Sequence, residues 1–337
     1  MTQYSISAGR LAPAQVKDVL ALAAAARDAD GVAPLSEHVL LHLRYDASAA
    51  GIAGRPGQDR DLILTVSQDP GGSRAAAPPT GGGSVEIAGY AHLDAAPSAA
   101  GADLSAELVI HPDHRREGLG LALVRALTAE AGGHEVRVWA HGDLPAAVRL
   151  ARAAGFDRVR ALWQMRRSLA GLPDQPRFPP GIMLRTFRPG RDEDEWLGLN
   201  RRAFAGHPEQ GAWTRRDLEL REREPWFDPA GFFIAERNGA MAGFHWTKVP
   251  GPAEGSLGEV YVVGVDPGEQ GTGLGRALTV AGLQYLQGRG LAEVMLYADE
   301  DNVPAIRLYE ALGFIHWRTD AMYRTPQGDT PREPAGS

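Results

Sequence analysis

The chain has 337 residues, 44% hydrophobic and 23% charged, with a formal net charge of −7; this is the balance of a globular protein long enough for two domains. The acidic balance argues against a general nucleic-acid binder. No apolar run approaches the ~20 residues of a membrane span, and "MTQYSISAGR" lacks the basic start and apolar core of a signal peptide. A cytoplasmic monomer with neither nucleic-acid nor membrane partners is expected. There is no cysteine, which excludes disulfides, thiolate metal sites and a cysteine nucleophile. The ten histidines show no HExxH-type spacing, so no metal is expected. Lysine occurs only at Lys17 and Lys248.

In chain order, "DPGGSRAAAPPTGGGS" (69–84) is aperiodic and is expected to be a disordered loop between two strands. "ELVIHPDHRREGLGLALVRAL" (107–127) reads as strand, glycine-rich turn and helix, and "PAAVRLARAAGF" (145–156) as a further helix. "SLAGLPDQPRFPPG" (168–181) reads as a linker. Beyond it come a strand "GIMLRTF", a helix "RDEDEWLGLNRRAF", two strands around Asn238-Gly239, and a long apolar strand "LGEVYVVGVDP". Asn-Gly between strands is the strongest short hairpin signal. There follow a helix "TGLGRALTVAGLQYLQGRG", a strand "AEVMLYAD", a helix "NVPAIRLYEALGF", a last strand, and a disordered tail.

The two halves echo each other. Pro112, Gly118, Gly120 and Leu123 recur as Pro267, Gly273, Gly275 and Leu278 at an offset of 155; Arg149, Gly155 and Phe156 recur as Arg307, Gly313 and Phe314 at 158. A period of domain length indicates tandem duplication. The expected organisation is a domain over 1–168, a linker over 169–180, a second domain over 181–325 and a tail over 326–337. Each domain is expected to be α/β, a mixed and mostly antiparallel sheet flanked by helices.

The repeated loop is not a Walker A sequence, since no GK[ST] follows its glycines. It is not a dinucleotide fingerprint, since Arg276 holds the third glycine position. Glycines after a strand and before a helix let backbone N–H groups approach an anion.

Gln-x-x-Gly-x-Gly after a strand, followed by Asn302, Ala305, Tyr309, Gly313 and Phe314 on the next helix, resembles the GNAT superfamily of N-acetyltransferases. The resemblance implies two tandem GNAT domains using acetyl-CoA. It implies pyrophosphate contacts from Gln270, Gly271, Thr272, Gly273, Leu274, Gly275 and Arg276. Val263, Gly264 and Val265 would meet the thioester where their strand splays from its neighbour. Asn302, Val303, Pro304, Ala305, Ile306 and Arg307 would complete the cofactor site. In the first half, Leu108, Val109 and Ile110 match the strand, and Arg116, Glu117, Gly118, Leu119, Gly120 and Leu121 match the loop.

Amine acetylation needs a base for the ammonium, N–H donors for the thioester oxygen and a proton donor for the departing thiolate. Glu259, before the loop, is the candidate base, and Tyr309 the candidate acid; Glu254 is a weaker rival to Glu259. By the repeat offsets, Tyr309 corresponds to Ala151, Asn302 to Leu144 and Glu259 to Leu104. The first half therefore keeps its loop without the acid or the base, and is expected to be non-catalytic.

Segments "DGVAPLSEHVL", "HPEQGAW", "WFDP", "GFHWTKV", "GEVYVVGVDP" and "VMLYADEDN" more closely resemble the mycothiol synthase family, tandem GNAT enzymes of actinobacteria. That family acetylates the cysteinyl amine of cysteinyl-glucosaminyl-inositol. The resemblance implies substrate contacts from Glu37, Glu209, Lys248, Glu259 and Tyr297. Two alternatives stay open: a tandem GNAT enzyme acting on a protein N-terminus, an aminoglycoside or a polyamine, and a non-catalytic acetyl-CoA sensor.

Overall fold

The structure, a computed structural model, describes residues 3–46, 60–67, 85–98, 101–172, 175–207, 210–249 and 257–326. The chain divides into two compact units, Met1–Ala161 with Thr319–Ser337, and Leu162–Arg318.

The first unit holds β1 (Tyr4–Gly9), α1 (Pro13–Asp30), α2 (Glu37–Leu41), β2 (Arg60–Ser67), β3 (Val85–Ser98), β4 (Gly101–Ile110), α3 (Leu119–Glu130), β5 (Val136–Ala140), α4 (Pro145–Ala153) and the start of β6 (Asp157–Ser168). Strands β1 to β5 lie in sequence order, antiparallel except for the parallel β4–β5 pair. The β2 sequence explains why both faces are covered. Leu62, Leu64 and Val66 join Leu119, Leu123 and Leu127 of α3 in one core. Ile63, on the opposite side of the pleat, joins Val19, Leu22 and Ala26 of α1 in another. Segment 69–84, expected as a loop, lies outside the described residues; β2 and β3 on either side of it pair antiparallel.

The second unit holds the rest of β6, then β7 (Ile182–Thr186), α5 (Glu193–Ala203), α6 (Arg215–Glu222), β8 (Phe232–Arg237), β9 (Ala240–Lys248), β10 (Leu257–Val265), α7 (Leu274–Gly288), β11 (Glu293–Asp299), α8 (Val303–Ala311) and the start of β12 (Ile315–Arg324). Its strand order is β6-β11-β10-β9-β8-β7, with β10–β11 the parallel pair and the remaining pairs antiparallel. The hairpin between β8 and β9 turns through Asn238 (φ 53°) and Gly239 (φ 81°), left-handed angles that Asn and Gly tolerate best. One face packs Trp196, Leu218, Phe244, Trp246 and Val262 under α5 and α6. The other packs Val260, Val294, Leu296, Leu283, Ile306 and Tyr309 under α7 and α8.

Two strands depart from the expected boundaries. Residues 162–168 of β6 belong to the second unit and pair with β11. Residues 319–324 of β12 belong to the first unit, where 321–324 pair with β5. The expected linker is also partly packed: Leu169 is buried, Leu172 packs with the α7–α8 core, and Phe178 packs beside Leu274 and Leu278. Its Pro and Gly content suggested a free chain, but its three large apolar residues find burial partners. Residues 173 and 174, and the tail beyond 326, lie outside the described residues.

Candidate active site

Strand β10 pairs with β11 from Leu257 only as far as Val260, opposite Leu296. Beyond that, β10 continues beside β9 and β11 continues beside β6. The parallel strands therefore fork. Along residues 262–265 the β11-facing backbone groups have no ladder partner among the described residues. A β-bulge at Tyr261 coincides with the fork: Val260 pairs with Thr247, but Val262 pairs with Trp246. The extra residue shifts the pleat by one, turning Tyr261 and Val262 toward the α5–α6 side and Val263 toward the α7–α8 side. Gly264 has no room for a side chain, since a Cβ would lie 2.5 Å from the Phe244 ring.

The glycine loop closes this end of β10. Asp266 Oδ1 accepts the Gly268 N–H at 3.0 Å, and Arg202 donates to Asp266 Oδ2 at 2.8 Å. Arg237 grips Glu269 through two hydrogen bonds of 2.6 and 3.1 Å. The Thr272 hydroxyl donates to the Glu269 carbonyl at 2.7 Å. Each acid that shapes the loop is thus matched by an arginine. Gly271 (φ 77°) and Gly273 (φ 90°) occupy left-handed backbone, and a Cβ at either would meet nothing within 4 Å. Gly273 opens α7 without a side-chain cap, leaving the first-turn N–H groups of Leu274, Gly275 and Arg276 without intrahelical acceptors. This open, glycine-lined, positively polarised turn fits a pyrophosphate.

Glu259 stands directly across from Lys248 on β9 and Met295 on β11. Its neighbour Val260 lies in the α7–α8 core, so the pleat turns Glu259 to the opposite face. There the Lys248 ammonium sits 4.7 Å from the Trp226 ring centre and 5.7 Å from that of Tyr261. Arg221 donates to the Tyr261 hydroxyl at 2.6 Å and stacks 4.0 Å over Trp213. Cation–aromatic contacts of this kind hold a long side chain in place. Tyr297 lies one pleat farther along β11 from Met295 on the same face, and is 41% exposed.

Tyr309 lies on the other side of the sheet. It is buried in the core that contains Val260, Leu296 and Ala298, with Val263 packed against it. Its ring meets Phe314 edge-on at 5.8 Å. Burial pushes its hydroxyl up to about 12, so it stays protonated across the physiological range. Helix α8 on which it sits is capped by Asn302, whose side chain accepts the Ala305 N–H at 3.2 Å; Val303 and Pro304 form its first turn, Ile306 is buried and Arg307 exposed. Of the other expected site residues, Glu37 opens α2 in the first unit, half-buried. Glu209 and Glu254 lie outside the described residues.

The first unit has a similar fork and loop with different contents. Strands β4 and β5 pair from Leu104 to Ala106 only, so residues 107–110, including Leu108, Val109 and Ile110, run beyond the pairing. Gly118 (φ 83°) opens α3 uncapped, ahead of Leu119, Gly120 and Leu121. Arg116 takes the left-handed angle (φ 67°) that Gly271 takes in the second unit. Arg115 is bound to both Asp30 oxygens, at 2.7 and 2.8 Å.

Strand β4 has no counterpart of the Tyr261 bulge. Counting back from Ile110 opposite Gly89 and from Val265 opposite Gly243, Glu259 therefore matches Ser105, correcting the sequence match to Leu104 by one. The Glu259–Lys248 pair becomes Ser105–Asp94, and the apolar pair Val262–Trp246 becomes Glu107–His92. Tyr309's counterpart Ala151 is buried.

These exchanges make the first fork polar. Burial works to raise the Glu107 carboxyl, but the His141 ring and the Ser36 N–H outweigh it and hold it below its ordinary value. Burial opposes charge on His141 as well, yet Glu107 and Asp320 push the ring up to about 10. His141 is thus an imidazolium held between two carboxylates. Next to them, Asp61 accepts from Tyr90 at 2.7 Å and contacts ring nitrogens of His42 and His92, each at 3.0 Å. Burial would raise its pKa too, but the two imidazoles hold it well below the usual carboxylate range. Among the described residues, two groups, His42–Asp61–His92 and Glu86–His111–His114, have donor atoms close enough to share a metal ion, which the scatter of histidines in the sequence did not suggest.

Sequence reasoning missed Trp226 and Tyr261, which hold Lys248, Arg221, which holds Tyr261, and the arginines that fasten the loop. Only Asp266-Pro267 before the glycines carried a local signal, that of an Asx turn. It also missed Glu222. Burial, followed by the nearby Glu193 and Glu219, pushes this carboxyl up from 4.5 to about 7. A carboxyl raised by folding gives stability that is fully present below its unfolded value and is lost as pH rises through its folded value. Glu222→Gln is therefore expected to raise the thermal midpoint at pH 8.5 and leave it nearly unchanged at pH 4.5. Paired melting curves at the two pH values test this.

Residues 76–156 and 195–314 both match the acetyltransferase (GNAT) family. A mycothiol acetyltransferase of Thermobispora bispora is 54% identical over 318 residues, covering 94% of this chain and 97% of that one. Mycothiol acetyltransferases of Acidothermus cellulolyticus and Thermomonospora curvata are 51% and 54% identical, over 94% and 93% of this chain and 92% and 94% of theirs. Among solved structures, a tandem GNAT protein from the clavulanic acid biosynthesis pathway matches with TM-score 0.67 at 21% identity, covering 97% of this chain and all of that one. A GCN5-related N-acetyltransferase from Sphaerobacter thermophilus matches with TM-score 0.63 at 24% identity, covering 96% and 97%; at these identities the likeness is one of fold. The chain is an acetyltransferase of the GNAT family, with tandem GNAT domains, and belongs within that family to the mycothiol acetyltransferases.

Proposed function

We propose that this enzyme transfers the acetyl group of acetyl-CoA to the cysteinyl amine of cysteinyl-glucosaminyl-inositol, giving mycothiol, and that the second unit performs the reaction. One observation carries the assignment to that unit. Around its fork stand a carboxylate on one face, Glu259, and a buried phenol on the other, Tyr309; the matching positions of the first unit hold Ser105 and Ala151.

Acetyl-CoA supplies an activated acyl carbon and a thiolate leaving group. In this reading the loop 270–276 and the start of α7 hold its pyrophosphate, and α8 from Asn302 to Arg307 completes the site. The unladdered backbone of Val263, Gly264 and Val265 donates to the thioester oxygen as charge develops there. Glu259 takes a proton from the cysteinyl ammonium, directly or through water, freeing the lone pair. The N–C bond forms as the C–S bond breaks, Tyr309 gives its proton to the sulfur, and the second proton that the nitrogen sheds on becoming an amide passes to water, from which the phenolate is reprotonated. Its high pKa keeps that proton available, and a thiolate, with a free-thiol pKa near ~8.5, is a weaker base than the phenolate left behind. Proton delivery therefore draws its advantage from sulfur charge that would otherwise build up in a buried site.

Within the second unit Lys248, held over Trp226 and Tyr261, Tyr297 and Glu209 are read as partners of the sugar and inositol hydroxyls; for Glu37 the same role rests on the family resemblance alone. The first unit is read as non-catalytic; its loop at 116–121 retains the shape for a pyrophosphate.

The test offers acetyl-CoA with cysteinyl-glucosaminyl-inositol beside a peptide with a free N-terminus, an aminoglycoside and a polyamine. A kcat/KM at least a hundredfold higher for the first is expected. Preference for any of the others, or no turnover at all, would overturn the substrate assignment.

A further inference from the structure

Strand β6 was not among the segments singled out in the sequence, yet it borders the Glu259 face. It pairs with β11 so that Gln164 stands across from Tyr297 and Arg166 across from Met295. Met295 in turn stands across from Glu259, and Glu259 from Lys248. Directly paired residues share a face. Lys248, Glu259, Met295 and Arg166 therefore form one row over four strands, with Tyr297 and Gln164 one pleat nearer the fork.

A directed chain of hydrogen bonds runs through this corner. An Arg166 Nη donates to Gln164 Oε1 at 3.2 Å. Gln164 Nε2 donates to the Tyr297 hydroxyl oxygen and to Met295 Sδ, both at 3.1 Å. A guanidinium can only donate, so the Gln164 oxygen must face Arg166 and its NH2 must face Tyr297. Arg166 is itself held, its guanidinium 4.6 Å over the Trp317 ring. Gln164 is 8% exposed, so its amide keeps this orientation at little risk of competition from water. Because the Tyr297 oxygen accepts from Gln164, the phenolic hydrogen points away from Gln164.

We propose that Arg166 and Gln164 are positioning residues that set the polarity of Tyr297, so that it donates its O–H to a hydroxyl or ether oxygen of a polyhydroxylated amine substrate. The proposal rests on the function read above and adds a source for its selectivity. Acceptor oxygens are what a sugar–inositol amine carries beyond its amino group, and a simple polyamine carries none.

The experiment uses the full-length enzyme and kinetics with cysteinyl-glucosaminyl-inositol and acetyl-CoA. Gln164→Glu keeps the shape but replaces the donor with an acceptor, which draws the Tyr297 hydrogen inward; Gln164→Met removes the bond without adding charge. Both are expected to raise the KM of the amine about tenfold, the order of one hydrogen bond, with kcat and the KM of acetyl-CoA unchanged. In a Tyr297→Phe background the further effect of either is expected to vanish, because both act through one hydroxyl. Arg166→Lys, which keeps a donor, is expected to retain more amine affinity than Arg166→Met. Full additivity with Tyr297→Phe, an unchanged KM, or an equal fall in kcat would overturn the proposal. Loss of the function reading would appear separately, as a wild-type enzyme that does not turn over this amine.

Discussion

Tyr309→Phe is expected to lower kcat by about 10²–10⁴-fold, the range a positioned general acid contributes, with little change in either KM. The substitution removes one oxygen and keeps the ring. That ring packs in the core with Val260, Leu296 and Phe314, so the thermal midpoint is expected to stay close to that of the wild type. The loss should therefore be kinetic and confined to the step in which sulfur leaves. An amine-acetylation assay with a thioester of a more acidic thiol checks this, because a better leaving group should restore much of the rate. Equal loss with both thioesters would move Tyr309 out of the acid role.

Glu259→Gln is expected to lower kcat/KM for the amine by at least 10²-fold at neutral pH and to remove the acidic limb of its pH profile. The sign follows from the role: a base must be ionised to take the proton, so the rate of the wild type rises with pH through the pKa of this carboxyl. Glutamine keeps the size and hydrogen-bonding reach of the side chain across from Lys248 and Met295 but cannot accept a proton. If the slower variant kept the wild-type limb, the base would be another group. The residual rate should follow the amine's own deprotonation in solution, a rise displaced to higher pH than the wild-type limb.

Much of this was legible in the chain. The repeat of "RREGLG" and "QGTGLG" at one offset showed two domains of one kind, and the Asn-Gly turn, the apolar run of β10 and the amphipathic α8 lie where their patterns put them. What was not legible depended on one-residue geometry or on distant segments. The bulge at Tyr261 leaves the apolar pattern of β10 intact, because both Val260 and Val262 are buried, one on each face. It nevertheless displaces the match of Glu259 from Leu104 to Ser105. The polar fork of the first unit brings together Ser36, Glu107, His141 and Asp320 from four separate stretches, none with a local motif. The arginines that neutralise the loop acids, Arg202 and Arg237, come from α5 and β8, and only the folded sheet sets them beside Asp266 and Glu269. The apolar residues of the 169–180 stretch were visible, but its Pro and Gly content outweighed them.

The central claim is that the second unit alone carries the reaction, although both units have the loop. The most direct test is a matched pair, Gly273→Asp and Gly118→Asp. Both glycines open a helix in left-handed backbone (φ 90° and 83°), and a Cβ at either meets nothing within 4 Å. Aspartate tolerates that conformation better than most residues and would set a carboxylate where a pyrophosphate would bind. The account predicts that Gly273→Asp raises the KM of acetyl-CoA and cuts kcat/KM by at least a hundredfold, while Gly118→Asp stays within about threefold of the wild type. Equal losses, or a greater loss at Gly118, would contradict it.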